Sequence, residues 1–295
     1  MPTFSSRLSF SLFGCLFLLV GCSVSKLQNK GSVQPVDFYT KVPFTYVKGL
    51  VGLDVEIEGE KRLFLFDTGA DVSVIQRDTT QGRTGNYGGA SKQKMELGNE
   101  IVPSMRIGEV SFLETYAVNG NLRGLQEPIP NFGGLIGQPI IRKANWLIDY
   151  PNQTVEISNK DLYDESFVSF EVVREGGYTP YTFLEMEGER YKVIIDLGST
   201  SMINLPENSK FAKAVRANIE LEDNTRNRYT LGGLQEITEK VGTIPEIKLG
   251  SFSLEDVTVS INETSQPRIG MKFFQDFAIY IDNANGGVYR LKRLQ

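Results

Sequence analysis

The sequence predicts a mainly β protein with short helices, built as two similar units in tandem. Two observations predict it. Short apolar runs recur along the chain between Gly, Pro and Asn turns, with 29 Gly and 12 Pro in 295 residues and 40% hydrophobic content. A set of landmarks then appears twice in the same order. Glu58-Gly59-Glu60 returns as Glu187-Gly188-Glu189, and Asp67-Thr68-Gly69 as Asp196-Leu197-Gly198. Gly88-Gly89 returns as Gly232-Gly233, and Pro103 with Ile107-Gly108 as Pro245 with Leu249-Gly250. Leu135-Ile136-Gly137 with Ile148-Asp149 returns as Arg268-Ile269-Gly270 with Ile281-Asp282. One Gly-x-Gly coincidence means little; the whole ordered series means duplication.

At the N-terminus, Arg7 precedes an apolar stretch, Phe10 to Val20, that is short for a membrane span and reads as a signal peptide, residues 1–21. Its end, Leu19-Val20-Gly21-Cys22, resembles the bacterial lipobox, which implies cleavage before Cys22 and lipid attachment there. The expected location is the cell envelope, lipid-anchored, at the outer membrane facing the periplasm or at the cell surface. Cys15 would leave with the leader, so the mature chain would have no disulfide and depend on its core. Residues 22–35 read as a polar tether.

Two lobes follow, 36–162 and 163–295. Expected strands in the first include Leu53 to Ile57, Leu63 to Phe66, Ser111 to Val118, Trp146 to Ile148 and Thr154 to Ile157. In the second, Phe211, Ala214 and Val215 stand at helical spacing behind Pro206, which predicts an inserted surface helix within 206–218.

The chain has no His, which excludes Ser-His-Asp and Cys-His hydrolases and His-ligated metals. A net charge of −5 without long charge runs gives no sign of nucleic-acid binding. Carboxylates with metal-ligand spacing are absent from the sequence, and neither a metal nor an organic cofactor is expected. Attention falls on Asp67 and Asp196, each delivered into a Gly-containing turn by an apolar run. Two carboxyls close enough to share a proton can divide acid from base: one deprotonates water while the other protonates a scissile carbonyl. Gly69 and Gly198 are expected to give those turns their dihedral freedom. The segment Gly134-Leu135-Ile136-Gly137 can pass close behind the first turn. Tyr87-Gly88-Gly89 suits a mobile hairpin over a cleft, although Tyr87 reads equally well as strand surface. Asp149 and Asp282 read as turn residues closing each lobe.

Together, the strand, Asp-Thr-Gly-Ala, hairpin, Leu-Ile-Gly and Ile-Asp-Tyr order resembles the retropepsin-like aspartic proteases, in particular bacterial tandem forms behind a secretion signal. The resemblance spans about Pro43 to Leu291. It implies two acid-protease lobes about a pseudo-twofold axis, with one active site at their seam. It implies Asp67 and Asp196 as the catalytic pair, and Thr68, Gly69 and Gly198 as their support. Ala70 and Asp71 would meet the substrate backbone, and Gly88, Gly89, Gly232 and Gly233 would belong to flaps. The substrate would be a peptide or protein, and the tandem lobes make a monomer sufficient.

One departure stands out. Leu197 occupies the place of a second Thr, so Thr68 is expected to lose its reciprocal partner, with Ser199-Thr200-Ser201 offering replacement hydroxyls. Two other readings stay open: an inactive peptide- or protein-binding lipoprotein, which Leu197 favours, and a structural envelope lipoprotein without a ligand, for which the anchor alone argues.

Overall fold

A computed structural model describes residues 26–89, 94–126, 128–174, 178–230 and 233–294. The expected β class is observed, with 57% of residues in strands and 9% in helices. Three sheets carry the chain. One of nine strands is built from the first half, one of seven from the second, and one of six takes strands from both.

Each half starts its sheet with the same hairpin. Strands Leu50–Ile57 and Glu60–Phe66 join through Glu58 and Gly59, with φ of 55° and 83°. Strands Tyr181–Met186 and Glu189–Ile195 join through Glu187 and Gly188, with φ of 52° and 76°. Positive φ at both positions matches the twist of a two-residue hairpin, which explains the repeated Glu-Gly. Alternation along the first pair buries Leu53, Val55, Phe64 and Phe66 completely.

The second strand of each hairpin then gains a parallel neighbour. Phe132–Ile136 lies beside Glu60–Phe66, and Arg268–Ile269 beside Glu189–Ile195. The outer face of each neighbour is closed by an antiparallel strand, Ser73–Gln76 or Ile203–Pro206. Long hairpins complete the halves: Lys94–Ile107 with Val110–Gly120, and Gly233–Leu249 with Phe252–Asn262. The pairing scheme is thus the same in both halves.

The six-stranded sheet joins them. Asn145–Asp149 pairs antiparallel with Phe277–Asp282, so that Trp146 faces Ile281 and Ile148 faces Ile279. Three strands from each half flank this seam, including Tyr39–Pro43 at one edge and Val168–Phe170 at the other. The sole Trp is fully buried here, stacked on Phe112 and donating from Nε1 to the Ile141 carbonyl at 2.7 Å. One apolar core runs through both halves, and a second, smaller one lies within the first.

The expected insertion forms the helix Lys210–Asn218, capped by Ser209, whose Oγ accepts from the Ala212 N–H at 3.0 Å. It buries Phe211, Ala212 and Val215, with Phe211 stacked on Tyr191 and Ala214 packed at the edge. Asp149 and Asp282 close turns as expected, accepting from the backbone N–H of Asn152 and Asn285. The tether expectation needs correction at its end. Ser32–Gln34 forms a strand on Val110–Gly120, so the folded body begins before residue 36. The leader and Cys22 lie outside the described residues. Among the described residues no helix is long and apolar enough to cross a membrane.

Candidate active site at the seam of the two halves

Asp67 and Asp196 each follow the last residue of a strand locked between neighbours. The Asp67 N–H donates to the Ile136 carbonyl at 3.0 Å, and the Asp196 N–H to the Ile269 carbonyl at 2.9 Å. Each carboxyl then accepts from the N–H two residues on: Gly69 to Asp67 at 2.9 Å, Gly198 to Asp196 at 3.1 Å. The two carboxyls come together at the seam, each lying against the glycine of the opposite turn and both lining one cavity.

Gly69 and Gly198 are required here for a different reason than dihedral freedom. Neither has a positive φ. A Cβ on Gly198 would stand 2.4 Å from Asp67 Cγ, and one on Gly69 would stand 2.8 Å from Asp196 Cγ. Each glycine makes room for the opposite carboxyl. Gly137 and Gly270 act behind the turns, where a Cβ would stand 2.4 Å from the Val72 and Ser201 carbonyl oxygens respectively.

Thr68 has lost nothing. Its hydroxyl donates to the Ile195 carbonyl at 2.7 Å and accepts from the Leu197 N–H at 2.9 Å. Both partners are backbone groups of the second turn, so the side chain at 197 does not affect them. What Leu197 removes is the return pair of bonds, and its side chain is fully buried in the larger core. Two net hydrogen bonds contribute about 1–3 kcal/mol and a buried Leu about 1.5–3 kcal/mol, so the exchange is close to neutral for stability. Ser199 and Ser201 supply no replacement; their hydroxyls bond to one another at 2.8 Å.

Sequence reasoning missed the strongest polar contact of the site. Arg268 Nη1 donates to Asp196 Oδ2 at 2.5 Å in a buried ion pair. Arg268 lies opposite Ile194, the register at which Leu135 lies opposite Leu65 in the first half. The signal was available: where the first copy reads Leu-Ile-Gly, the second reads Arg-Ile-Gly. Burial pushes the Asp67 carboxyl well above the ordinary carboxylate range, and the charge of Asp196 pushes the same way. The Gly69 N–H and the more distant Arg268 charge oppose the shift without cancelling it. The shift favours the protonated form of Asp67, while Asp196 faces a guanidinium.

A cavity of about 850 Å³ opens over the pair. Ala70 and Asp71 line it, and Asp71 Oδ1 accepts from the Thr179 hydroxyl at 2.6 Å. The hairpin strand Thr84–Gly88 contributes Tyr87 and Gly88, followed by Gly89. The Tyr87 hydroxyl donates to Asn99 Oδ1 at 2.7 Å, which fixes the ring against the opposite strand. A Cβ on Gly88 or Gly89 would meet nothing, so neither glycine is demanded by space. The opposing hairpin strand, Glu222–Thr230, lines the cavity from Arg226 to Thr230. Gly233 begins the returning strand, paired with Thr230; Gly232 lies outside the described residues. Among the described residues no group of three or more metal-ligating side chains converges.

The sequence matches no protein-family model, and a search of curated proteins finds no similar sequence.

Proposed function

We propose that this protein is an aspartic endopeptidase with two retropepsin-like lobes, hydrolysing peptide bonds with a water activated between Asp67 and Asp196. One observation carries the reading: two carboxyls from equivalent turns, each against the other turn's glycine, line one cavity together with two hairpins. In the proposed cycle Asp196 takes a proton from water as its oxygen attacks the scissile carbonyl carbon. Asp67 gives its proton to the carbonyl oxygen, leaving a neutral gem-diol. A carboxyl then protonates the peptide nitrogen, the C–N bond breaks, and the other carboxyl recovers a diol proton. The elevated proton affinity of Asp67 suits it to the acid's role. Lipid attachment at Cys22, residence in the cell envelope and action as a monomer on peptide or protein substrates belong to the same proposal.

A second reading, an inactive peptide-binding lipoprotein, is favoured by the ion pair of Arg268 with Asp196, which occupies an oxygen of the intended base. Peptide-library cleavage read by mass spectrometry from acid to neutral pH separates the two. The endopeptidase reading expects cleavage that falls by about 10²–10⁴-fold in Asp67→Asn and in Asp196→Asn. Binding without cleavage at any pH establishes the second reading instead.

A further inference from the structure

The two walls of the cavity differ in chemistry. On the first-half side Leu65, Val74, Leu97, Val118 and Leu135 line it, and all five belong to the smaller apolar core, which here opens to the cavity. On the second-half side stand Asn204, Arg226, Arg228, Thr264, Ser265 and Arg268. Among the described residues, the charged lining residues beyond that basic wall are Lys48, Asp67, Asp71 and Asp196.

The three arginines do not have equivalent partners. Arg226 binds Glu239 through Nε at 2.6 Å and Nη2 at 3.2 Å. Glu239 also accepts from Asn224 and Asn262, so its oxygens are engaged. Arg268 Nη1 is held by Asp196. Arg228 has a weak contact, Nη2 to Gln235 Oε1 at 3.4 Å, and Glu239 and Glu263 act on it as opposite charges. Burial and the neighbouring Arg226 and Arg268 charges disfavour its cation.

Polar groups within this wall are incompletely paired. Arg228 Nε, Arg268 Nε and the Thr264 hydroxyl are buried without a partner among the described residues. Each can donate, and leaving buried donors unmet is unfavourable. A carboxylate offers several acceptor positions to Arg228 at the cavity wall and adds negative charge beside the adjoining guanidiniums.

We propose that this wall is a carboxylate subsite. The preferred substrate then places an Asp or Glu side chain against Arg228 and an apolar side chain against the Leu65–Leu135 wall, on opposite sides of the scissile bond. This inference rests on reading the cavity as a peptide cleft, and it names the substrate class of that cleft.

The test uses the full chain and paired peptides that differ only in Glu against Gln at the positions flanking an apolar residue. Both cleavage rate and binding, by fluorescence anisotropy, are measured. The expected result is a preference of about ten- to a hundredfold for Glu, the scale of one charge-assisted hydrogen-bonded contact. Arg228→Gln should narrow the ratio to about threefold or less, and Arg228→Lys should keep part of it. Equal cleavage of Glu and Gln peptides overturns the subsite and leaves the peptidase reading standing. Tighter binding of Glu peptides without cleavage supports the subsite and overturns the peptidase reading. Equal binding without cleavage overturns both.

Discussion

Asp67 and Asp196 end equivalent strands, receive equivalent backbone hydrogen bonds and press against each other's glycine, yet their surroundings are opposites. Behind Asp67 the neighbouring strand carries Leu135; behind Asp196 it carries Arg268. The Thr68 hydroxyl reaches across to hold the second turn by two bonds, whereas Leu197 answers with packing. Duplication brings two identical groups together, and identical groups have no preset division of labour. Divergence at two positions supplies one: burial favours the protonated form of the carboxyl beside Leu135, and the carboxyl beside Arg268 faces a fixed positive charge.

The largest expected way to break this asymmetry is Arg268→Leu, which makes the second half like the first. It leaves the Asp196 carboxyl without its buried partner and is expected to cost about 3 kcal/mol of stability, read by urea denaturation. Arg268 also opposes the rise in Asp67's proton affinity. Its removal therefore strengthens that affinity, and the alkaline limb of the pH–rate profile should move to higher pH. A limb that stays in place or moves down contradicts the assignment.

Next in size is Thr68→Val. It strands the Ile195 carbonyl and the Leu197 N–H in a buried place and is expected to cost about 2 kcal/mol. Leu197→Thr is its counterpart, exchanging core packing for hydrogen bonds. We expect a stability change within about 1 kcal/mol and an activity change below about tenfold. If Leu197→Thr restores a large activity, the second turn was deficient in orientation and the near-neutral exchange is mistaken.

A finer effect sharpens the comparison. Because Asp67 binds its proton more tightly folded than unfolded, the native state holds the extra proton between the two pKa values. Stability is then fullest below the unfolded carboxylate pKa of about 3.9 and declines as pH rises toward the elevated folded value. Asp67→Asn removes that decline. Its melting temperature relative to the parent should rise from pH 4 toward neutral, and a constant offset would show that Asp67 is not the group responsible.

Much of this was legible in the sequence because duplication prints its pattern twice. Glu58-Gly59 and Glu187-Gly188 are mirror-turn residues that strands of this twist require, so the hairpins were readable. The two Asp-x-Gly turns followed from apolar runs ending in a polar bend. Helix Lys210–Asn218 followed from its apolar spacing. Less legible was anything decided by contacts across the seam. That Thr68 bonds to backbone, and is therefore indifferent to residue 197, depends on how two turns dock. The role of Gly69 and Gly198 as clearance for the opposite carboxyl arises the same way. Arg268 was visible as a mismatch between the copies, but its target was not. Arg226 and Arg228 sit in a polar strand where the sequence alone suggests solvent, and only the position of the hairpin turns them into a cavity wall.

The most direct test of the unlike pair is a ¹³C NMR titration of the aspartate carboxyl carbons, with Asp67→Asn and Asp196→Asn used to assign the two signals. The account predicts that Asp67 still shows its protonated form at a pH where exposed aspartates have ionised. An Asp67 signal that titrates together with the exposed aspartates would contradict it.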